Sequence, residues 1–176
     1  MDEFNLIFTT YRGGERRALM EMKRFLMEVG DGAPDIEVTG FPGLLLARST
    51  ADPFALIDHL YEVVRTEPWR MRAVLRVIPI EATARASVED IARAVGPLSS
   101  KIGAEETYRV EVEKRGSALS GREVIDAVAA SIPRKVRLES PDWMVLVEIV
   151  EDRAGVSVLR ERYIFSSVRA KRDLRV

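Results

Sequence analysis

Cysteine and histidine, which carry much of the nucleophilic, redox and metal chemistry of proteins, are nearly absent from this sequence. It has no Cys and a single His, His59, among 176 residues. Disulfides, zinc ribbons and Cys nucleophiles are therefore excluded, and a Ser-His-Asp triad would have only one candidate base. No nucleophile can be named beside His59, so we expect it to be a surface side chain. These residues favour a binding protein over an enzyme.

The remaining groups that could do chemistry are carboxylate pairs, a glycine pair and two tryptophans. Glu105-Glu106 and Glu151-Asp152 lie beside predicted turns or strand ends, where solvation explains them. Gly13-Gly14 lies between a predicted strand and a predicted helix, but the third glycine and the parallel βαβ context of a dinucleotide loop are missing. We expect Trp69 and Trp143 to be core residues rather than stacking platforms. The sequence thus predicts no catalytic residue, no cofactor and no metal site.

Basic side chains form local clusters on a chain that is nearly neutral overall. The 27 Lys and Arg residues face 28 Asp and Glu residues, a net charge of −1. Residues 1–81 hold 10 basic and 13 acidic residues, whereas the remainder holds 17 and 15. Clusters occur at Lys114-Arg115, at Arg134-Lys135 with Arg137, and from Arg160 to the C-terminus. Such clusters are typical of positioned phosphate contacts, and the planar fork of Arg suits phosphate oxygens.

The hydrophobic pattern of the first half predicts two helices among four strands. Apolar residues recur at helical spacing over 15–29, and Asp52-Pro53 is the start signal of a second helix. We predict strands at 4–10, 36–38, 44–49 and 70–80. The resulting order, β-α-β-β-α-β, is that of a ferredoxin-like unit, which we predict for residues 1–81.

The second half begins near 82–86, a weakly patterned stretch of small residues. We predict a helix at 87–95, interrupted by Gly96-Pro97, and a second helix to Ile132 that starts with a capping box of Ser120 and Glu123. Strands are predicted at 107–113, 135–138, 143–150 and 156–165. The nearly continuous apolar run at 143–150 predicts a central strand covered on both faces. Residues 166–176 form a basic tail.

Several of these segments together resemble a THUMP domain. TYRVEVEKR at 107–115 resembles its strand and basic turn, and the capped helix follows at the family's spacing. VRLESPD at 136–142 resembles its Pro-Asp turn, 143–150 its hydrophobic strand and 155–158 its final strand. The resemblance covers 84–165 and implies an α+β protein, with an N-terminal ferredoxin-like domain at 1–81 followed by an α/β THUMP domain at 82–165.

The same resemblance implies a function, that of a non-catalytic adaptor in tRNA modification. Such a protein binds the acceptor stem and 3′ end of tRNA and presents the tRNA to an enzyme, here an RNA cytidine acetyltransferase. The residues expected to contact RNA are Lys114, Arg115, Arg122, Arg134, Lys135, Arg137, Arg160 and Arg162. The alternative is a small-molecule-binding or regulatory ferredoxin-like protein without an RNA function, which would have a pocket and little salt-dependent RNA affinity.

Two further features of the sequence concern where in the cell the protein is located. No apolar run approaches the ~20 residues needed to cross a membrane. The N-terminus carries Asp2 and Glu3 where a secretory signal would carry basic residues. We therefore expect a cytoplasmic protein without a membrane partner.

Overall fold

The protein, described here by a computed structural model over residues 1–175, folds as two compact units. Among the described residues, the first unit contains Glu3–Pro79 together with 162–175, and the second unit contains Ile80–Glu161. Each unit has its own five-stranded sheet and its own hydrophobic core. The C-terminal segment therefore packs within the first unit, whereas the sequence indicated a separate tail.

The described residues form ten strands and five α-helices. The strands are β1 (Leu6–Thr9), β2 (Asp35–Val38), β3 (Leu44–Arg48), β4 (Arg76–Pro79), β5 (Ala82–Arg85), β6 (Thr107–Arg115), β7 (Lys135–Val136), β8 (Trp143–Val150), β9 (Arg153–Leu159) and β10 (Phe165–Ser166). The α-helices are α1 (Glu15–Glu28), α2 (Pro53–Thr66), α3 (Val88–Leu98), α4 (Gly121–Ser131) and α5 (Ser167–Asp173). Short 3-10 helices lie at Pro68–Arg70, Ser99–Lys101 and Glu161–Tyr163. The mixed α/β fold class predicted from the sequence is confirmed.

The first unit packs α1 and α2 against an antiparallel sheet of strand order β10-β4-β1-β3-β2. Its elements up to β4 follow the predicted β-α-β-β-α-β order. Met22 and Phe25 of α1 and Leu60 of α2 are buried in the shared core. At the start of α2 the Asp52 carboxylate accepts a hydrogen bond from the Phe54 N–H at 2.9 Å, the predicted cap.

The second unit is a mixed sheet of strand order β5-β9-β8-β6-β7, with α3 and α4 on one face. β6 runs parallel to both β7 and β8, while β9 is antiparallel to β8 and β5. Residues 144–150 of β8 are all buried, which confirms the prediction of a central strand covered on both faces. The side chains of Ser87 and Ser120 cap α3 and α4 by accepting backbone N–H groups of Asp90 and Glu123.

Two segments near the end of the first half differ from prediction. The strand predicted over 70–80 is wrong in its first half, where the chain forms the 3-10 helix Pro68–Arg70 and a loop before β4. In that loop the Glu21 carboxylate accepts the N–H groups of residues 72–74, so these groups need no strand partner. The weakly patterned residues 82–86 contain β5, an edge strand that pairs with β9.

Two later segments also differ from prediction. α3 continues through Pro97 to Leu98, because Pro97 lies in the last turn and its missing N–H removes only one helical bond. The strand predicted over 156–165 is wrong at its end: β9 stops at Leu159, and β10 pairs with β4 in the other sheet. Phe165 is fully buried in the first unit's core, and this burial holds the C-terminal segment there.

The two tryptophans have different environments. Trp143 is half-buried against the core of the second unit, in agreement with the prediction. Trp69 is 61% exposed, so the prediction of a core position for it is wrong. It lies in the 3-10 helix Pro68–Arg70, and Met71, which directly follows that helix, is 1% exposed. None of the helices described over residues 1–175 is long and apolar enough to cross a membrane.

Candidate nucleic-acid interface

Six predicted basic residues of the second unit lie near one end or the other of strand β6. Lys114 and Arg115 end β6, whereas Lys135 of β7 pairs with Thr107 at the start of β6. The nine residues of β6 extend roughly 26 Å at about 3.3 Å per residue. We call the cations near the C-terminus of β6 the distal group and those near its N-terminus the proximal group.

The distal group contains Lys114, Arg115 and Arg122. Lys114 is exposed, and its Nζ donates to the carbonyl oxygen of Leu119 at 2.6 Å. Arg122, in the first turn of α4, has an 84% exposed side chain and a long contact of 3.4 Å to Asp126. These two cations are available to an external anion at little cost, because exposed ion pairs are weak.

Arg115 differs from its neighbours because it holds an internal ion pair. Its Nη1 donates to Oε2 of Glu148 at 3.0 Å, and the Glu148 side chain is only 4% exposed. A buried carboxylate needs a compensating charge or hydrogen bonds. Arg115 therefore has a structural task in addition to the RNA contact that the sequence predicts.

The proximal group contains Arg134, Lys135 and Arg137. Arg134 is tied to the backbone, since its Nε donates to the Ile102 carbonyl at 3.0 Å. Lys135 and Arg137 are exposed, and among residues 1–175 neither has an ion-pair partner. The N–H of Arg137 donates to the Tyr108 carbonyl at 2.9 Å, which fixes the backbone beside β6. The two free cations are thus presented from an anchored edge of the sheet.

Arg160 and Trp143 extend the proximal group across the end of the sheet. The Arg160 guanidinium lies 3.8 Å from the centroid of a Trp143 ring and donates to Glu106 at 2.9 Å. The Trp143 indole N–H, the Gly103 N–H and the Arg160 guanidinium hold the pKa of the Glu106 carboxyl below its usual value. Arg160 is consequently oriented by a ring face and a carboxylate, while nearly half of its side chain stays exposed.

Arg109 belongs to this end of β6 but was not among the predicted site residues. Its Nη1 donates to the Leu138 carbonyl at 2.7 Å, and its Nη2 donates to Glu111 at 2.8 Å. The alternation of β6 did signal it, because Arg109 lies on the strand face opposite to Tyr108. Its hydrogen bonds hold the turn after β7 and identify it as a supporting residue.

Arg162 belongs to the first unit, whereas the other seven predicted residues belong to the second. It donates to Asp58 Oδ1 at 3.0 Å and lies 4.6 Å from the Tyr163 ring centroid. The carbonyl oxygen of Arg162 accepts the Tyr61 hydroxyl at 2.5 Å. These interactions join the C-terminal segment to α2, which gives Arg162 a packing role.

Two other sequence features, the glycine pair and His59, are next to internal side-chain contacts. Gly13 adopts a φ of +87°, as a tight turn requires, and the Glu15 carboxylate folds back to accept the Gly43 N–H at 2.8 Å. Hydrogen bonds from the N–H groups of Glu15 itself, Gly43 and Gly13 lower the pKa of that carboxyl. The N-terminus of α1 is therefore occupied by its own side chain. His59 Nε2 lies 3.0 Å from Glu28 Oε1, so its ring is held in a side-chain contact.

Comparison with known proteins identifies the second unit. Residues 85–159 match the family model of the THUMP domain. THUMP domain-containing protein 1 of Bos taurus is 25% identical over 163 residues, covering 86% of this chain and 44% of its own length. The chain thus contains a THUMP domain and is homologous to THUMP domain-containing proteins. It spans less than half the length of the bovine relative.

Solved structures show the same fold. PH1313 from Pyrococcus horikoshii matches with a TM-score of 0.66 and 18% identity, over 89% of this chain and 54% of that one. A 4-thiouridine synthetase, solved in complex with RNA and ATP, matches with a TM-score of 0.60 and 14% identity, over 90% of this chain and 42% of that one. Both alignments extend over most of this chain, so they include elements of both units.

Proposed function

We propose that this protein is a tRNA-binding adaptor that presents tRNA to a separate modifying enzyme and does not itself catalyse the modification. One observation carries the proposal: the segment that matches the THUMP domain, 85–159, contains six of the eight predicted RNA-binding residues. The similarity to a synthetase that was solved with RNA bound supports the choice of ligand. The acceptor stem and 3′ end remain the part of tRNA that we propose is bound.

The mechanism that we propose is recognition of charge and shape. The major groove of an A-form stem is too deep and narrow for side chains to read, so contacts go to phosphates and 2′-hydroxyls. Lys135 and Arg137 of the proximal group have no ion-pair partner among the described residues, and Arg122 of the distal group is 84% exposed in its side chain. Cations at both ends of β6 would contact separate phosphates along one stem and so fix its position.

The proposed lack of catalysis rests on the side chains that this sequence provides. It has no Cys for sulfur transfer, and its single His is engaged with Glu28. The Arg115–Glu148 ion pair joins the neighbouring strands β6 and β8, and its carboxylate is only 4% exposed, so we assign it a structural role. We propose an RNA cytidine acetyltransferase as the partner enzyme and the cytoplasm as the location, both on the resemblance of the second half to stand-alone THUMP proteins.

Binding and catalysis are tested together with the full chain. An unmodified tRNA transcript is titrated with the protein, then incubated with acetyl-CoA, S-adenosylmethionine or ATP before its nucleosides are measured by mass spectrometry. We expect tRNA binding and no new nucleoside. A new nucleoside would overturn the adaptor role, and an absence of tRNA binding would overturn the function as a whole. A pull-down from native extract, with protein and RNA both sequenced, tests the proposed enzyme partner.

A further inference from the structure

An exposed aromatic side chain lies in a basic recess on the first unit. The recess, of about 530 Å³, lies between α1 and the segment that follows α2. Its lining includes Arg17, Met20, Glu21, Arg24, Trp69 and Arg72, and we call it the Trp69 recess. Trp69 and Met20 are 61% and 60% exposed, although both are large apolar residues. Exposed apolar surface of this kind, surrounded by polar groups, is characteristic of binding sites.

The backbone that carries Trp69 is fixed, so the ring is presented from a rigid support. Arg70 donates to Glu28 Oε1 at 2.8 Å and lies over the Phe25 ring at 5.4 Å. Arg72 Nε donates to the carbonyl oxygen of Trp69 at 3.0 Å, and Met71 is buried. The exposure of the indole therefore does not arise from a loose loop. A pre-organised surface loses less entropy when a ligand binds.

The charge of the recess is positive even though residues 1–81 carry more acidic than basic residues. Arg17, Arg24 and Arg72 line it, and within residues 1–175 none of their guanidinium groups pairs with a carboxylate. Glu21, the one carboxylate among the described lining residues, accepts the backbone N–H groups of residues 72–74 at 2.9–3.0 Å. Three cations therefore face the recess with little local compensation.

We propose that the Trp69 recess binds one unpaired nucleotide of an RNA strand, with the base stacked on the Trp69 indole and the adjoining phosphates at Arg17 and Arg24. The proposal rests on the proposed function, since it adds a second RNA contact to the one on the THUMP domain. A ring face combined with guanidinium groups is how proteins bind single strands without reading sequence. Bases inside a duplex are already stacked on each other, so the recess selects unpaired nucleotides. Its volume is in the range of small-ligand pockets.

The ring is tested with a single-stranded RNA hexanucleotide and a blunt RNA hairpin as probes. We expect Trp69→Ala in the full chain to weaken the hexanucleotide about tenfold and to leave the hairpin unchanged, while Trp69→Phe retains most of the affinity. Binding of the hexanucleotide should also quench indole emission in the natural protein, and this quenching should disappear in Trp69→Phe. Equal affinities of natural protein and Trp69→Ala for the hexanucleotide would overturn the proposal.

The charges are tested with matched pairs on the same helix. Arg17→Ala/Arg24→Ala and Arg16→Ala/Lys23→Ala each remove two exposed cations seven residues apart on α1, but only the first pair lines the recess. At about 0.15 M salt, where charges act over roughly 8 Å, we expect the first pair to weaken the hexanucleotide and the second to have little effect. Equal effects would contradict a site in the recess.

The outcomes separate this proposal from the proposed function. If the chain binds tRNA and the hairpin normally but none of the Trp69 recess variants alters hexanucleotide binding, only the recess proposal fails, and the recess serves another ligand such as an acidic protein surface. If the chain binds no RNA probe at all, both fail.

Discussion

Replacing Arg115 by alanine should destabilise the second unit, because this residue neutralises a carboxylate inside the sheet. The Arg115 guanidinium, 26% exposed in its side chain, donates at 3.0 Å to Glu148, which is 4% exposed. A hydrogen bond to a charged group contributes about 1.5–3 kcal/mol to stability. Because Arg115 is partly open to water, we expect a loss in the lower half of this range, about 1.5–2 kcal/mol. The neighbouring Lys114 is exposed, so Lys114→Ala should change stability by less than about 0.5 kcal/mol.

Denaturant unfolding of the full chain measures this difference. The double-mutant cycle of Arg115→Ala with Glu148→Gln isolates the coupling between the two side chains. We expect Arg115→Ala to be less destabilising in the Glu148→Gln background, since the carboxylate charge is then absent. If Arg115→Ala and Lys114→Ala unfold at the same denaturant concentration, the Arg115–Glu148 ion pair does not stabilise the fold and Arg115 is an ordinary surface cation.

Two further predictions concern stability. The pKa of Glu106 is lowered from its usual value of 4.5 by the Trp143 indole N–H, the Gly103 N–H and Arg160. The ionised carboxylate therefore stabilises the folded protein above pH 4.5, and this stabilisation is lost as the pH falls through the lowered pKa. Glu106→Gln should accordingly be less stable than the natural protein at pH 7, and the difference should shrink as the pH falls below 4.5. Unfolding across pH measures this, and a difference that stays constant as the pH is lowered would contradict the assignment. Phe165→Ala should destabilise the first unit by about 3–5 kcal/mol, because Phe165 is fully buried and packs edge to face against the Tyr61 ring at 5.1 Å. Thermal unfolding of the variant and of the natural protein measures this difference. A loss of stability below about 1 kcal/mol would mean that the C-terminal segment adds little to the core of the first unit.

Local signals in the sequence predicted most of the elements, because they depend on neighbouring residues only. Asp52, Ser87 and Ser120 each cap the helix that the sequence placed after them. The apolar run of β8 and the alternation of β6 reflect burial on two faces and on one face, respectively. Such patterns are fixed by the period of the backbone and can be read from a single chain.

Features that depend on distant partners could not be predicted in this way. β5 is an edge strand of small residues whose pairing with β9 supplies the order that its own sequence lacks. β10 has two residues and exists because β4 offers a free edge. Trp69 was predicted to be a core residue, but the loop after it is held by Glu21, which precedes Ala73 by 52 residues, and the ring is left outside. These tertiary interactions join residues that are far apart in the sequence, so the local pattern of residues does not show them.

The residues of the candidate site were also predictable only in part. Clustering in the sequence identified the proximal and distal groups, yet it could not distinguish the free cations Lys135 and Arg137 from Arg115, which is engaged with Glu148. It also could not show that Arg162, a predicted RNA contact, belongs to the first unit and contacts Asp58 and Tyr163 there. The net charge of residues 1–81 does not show the local excess of arginine in the Trp69 recess, because acidic residues are spread over the rest of that sequence.

The salt dependence of tRNA binding tests the central proposal most directly. The logarithm of the dissociation constant is measured against the logarithm of salt concentration for the natural protein, for Lys135→Ala/Arg137→Ala and for Arg85→Ala/Arg93→Ala. The control pair removes the same charge from the second unit but lies at β5 and α3, toward the opposite edge of the sheet from β7. We predict that the first variant weakens different tRNAs about equally and lowers the slope by just under about two units, one for each phosphate that the protein no longer neutralises. The control should retain the natural slope. Equal slopes for the two variants would contradict the assignment of the RNA surface to this edge of the THUMP domain.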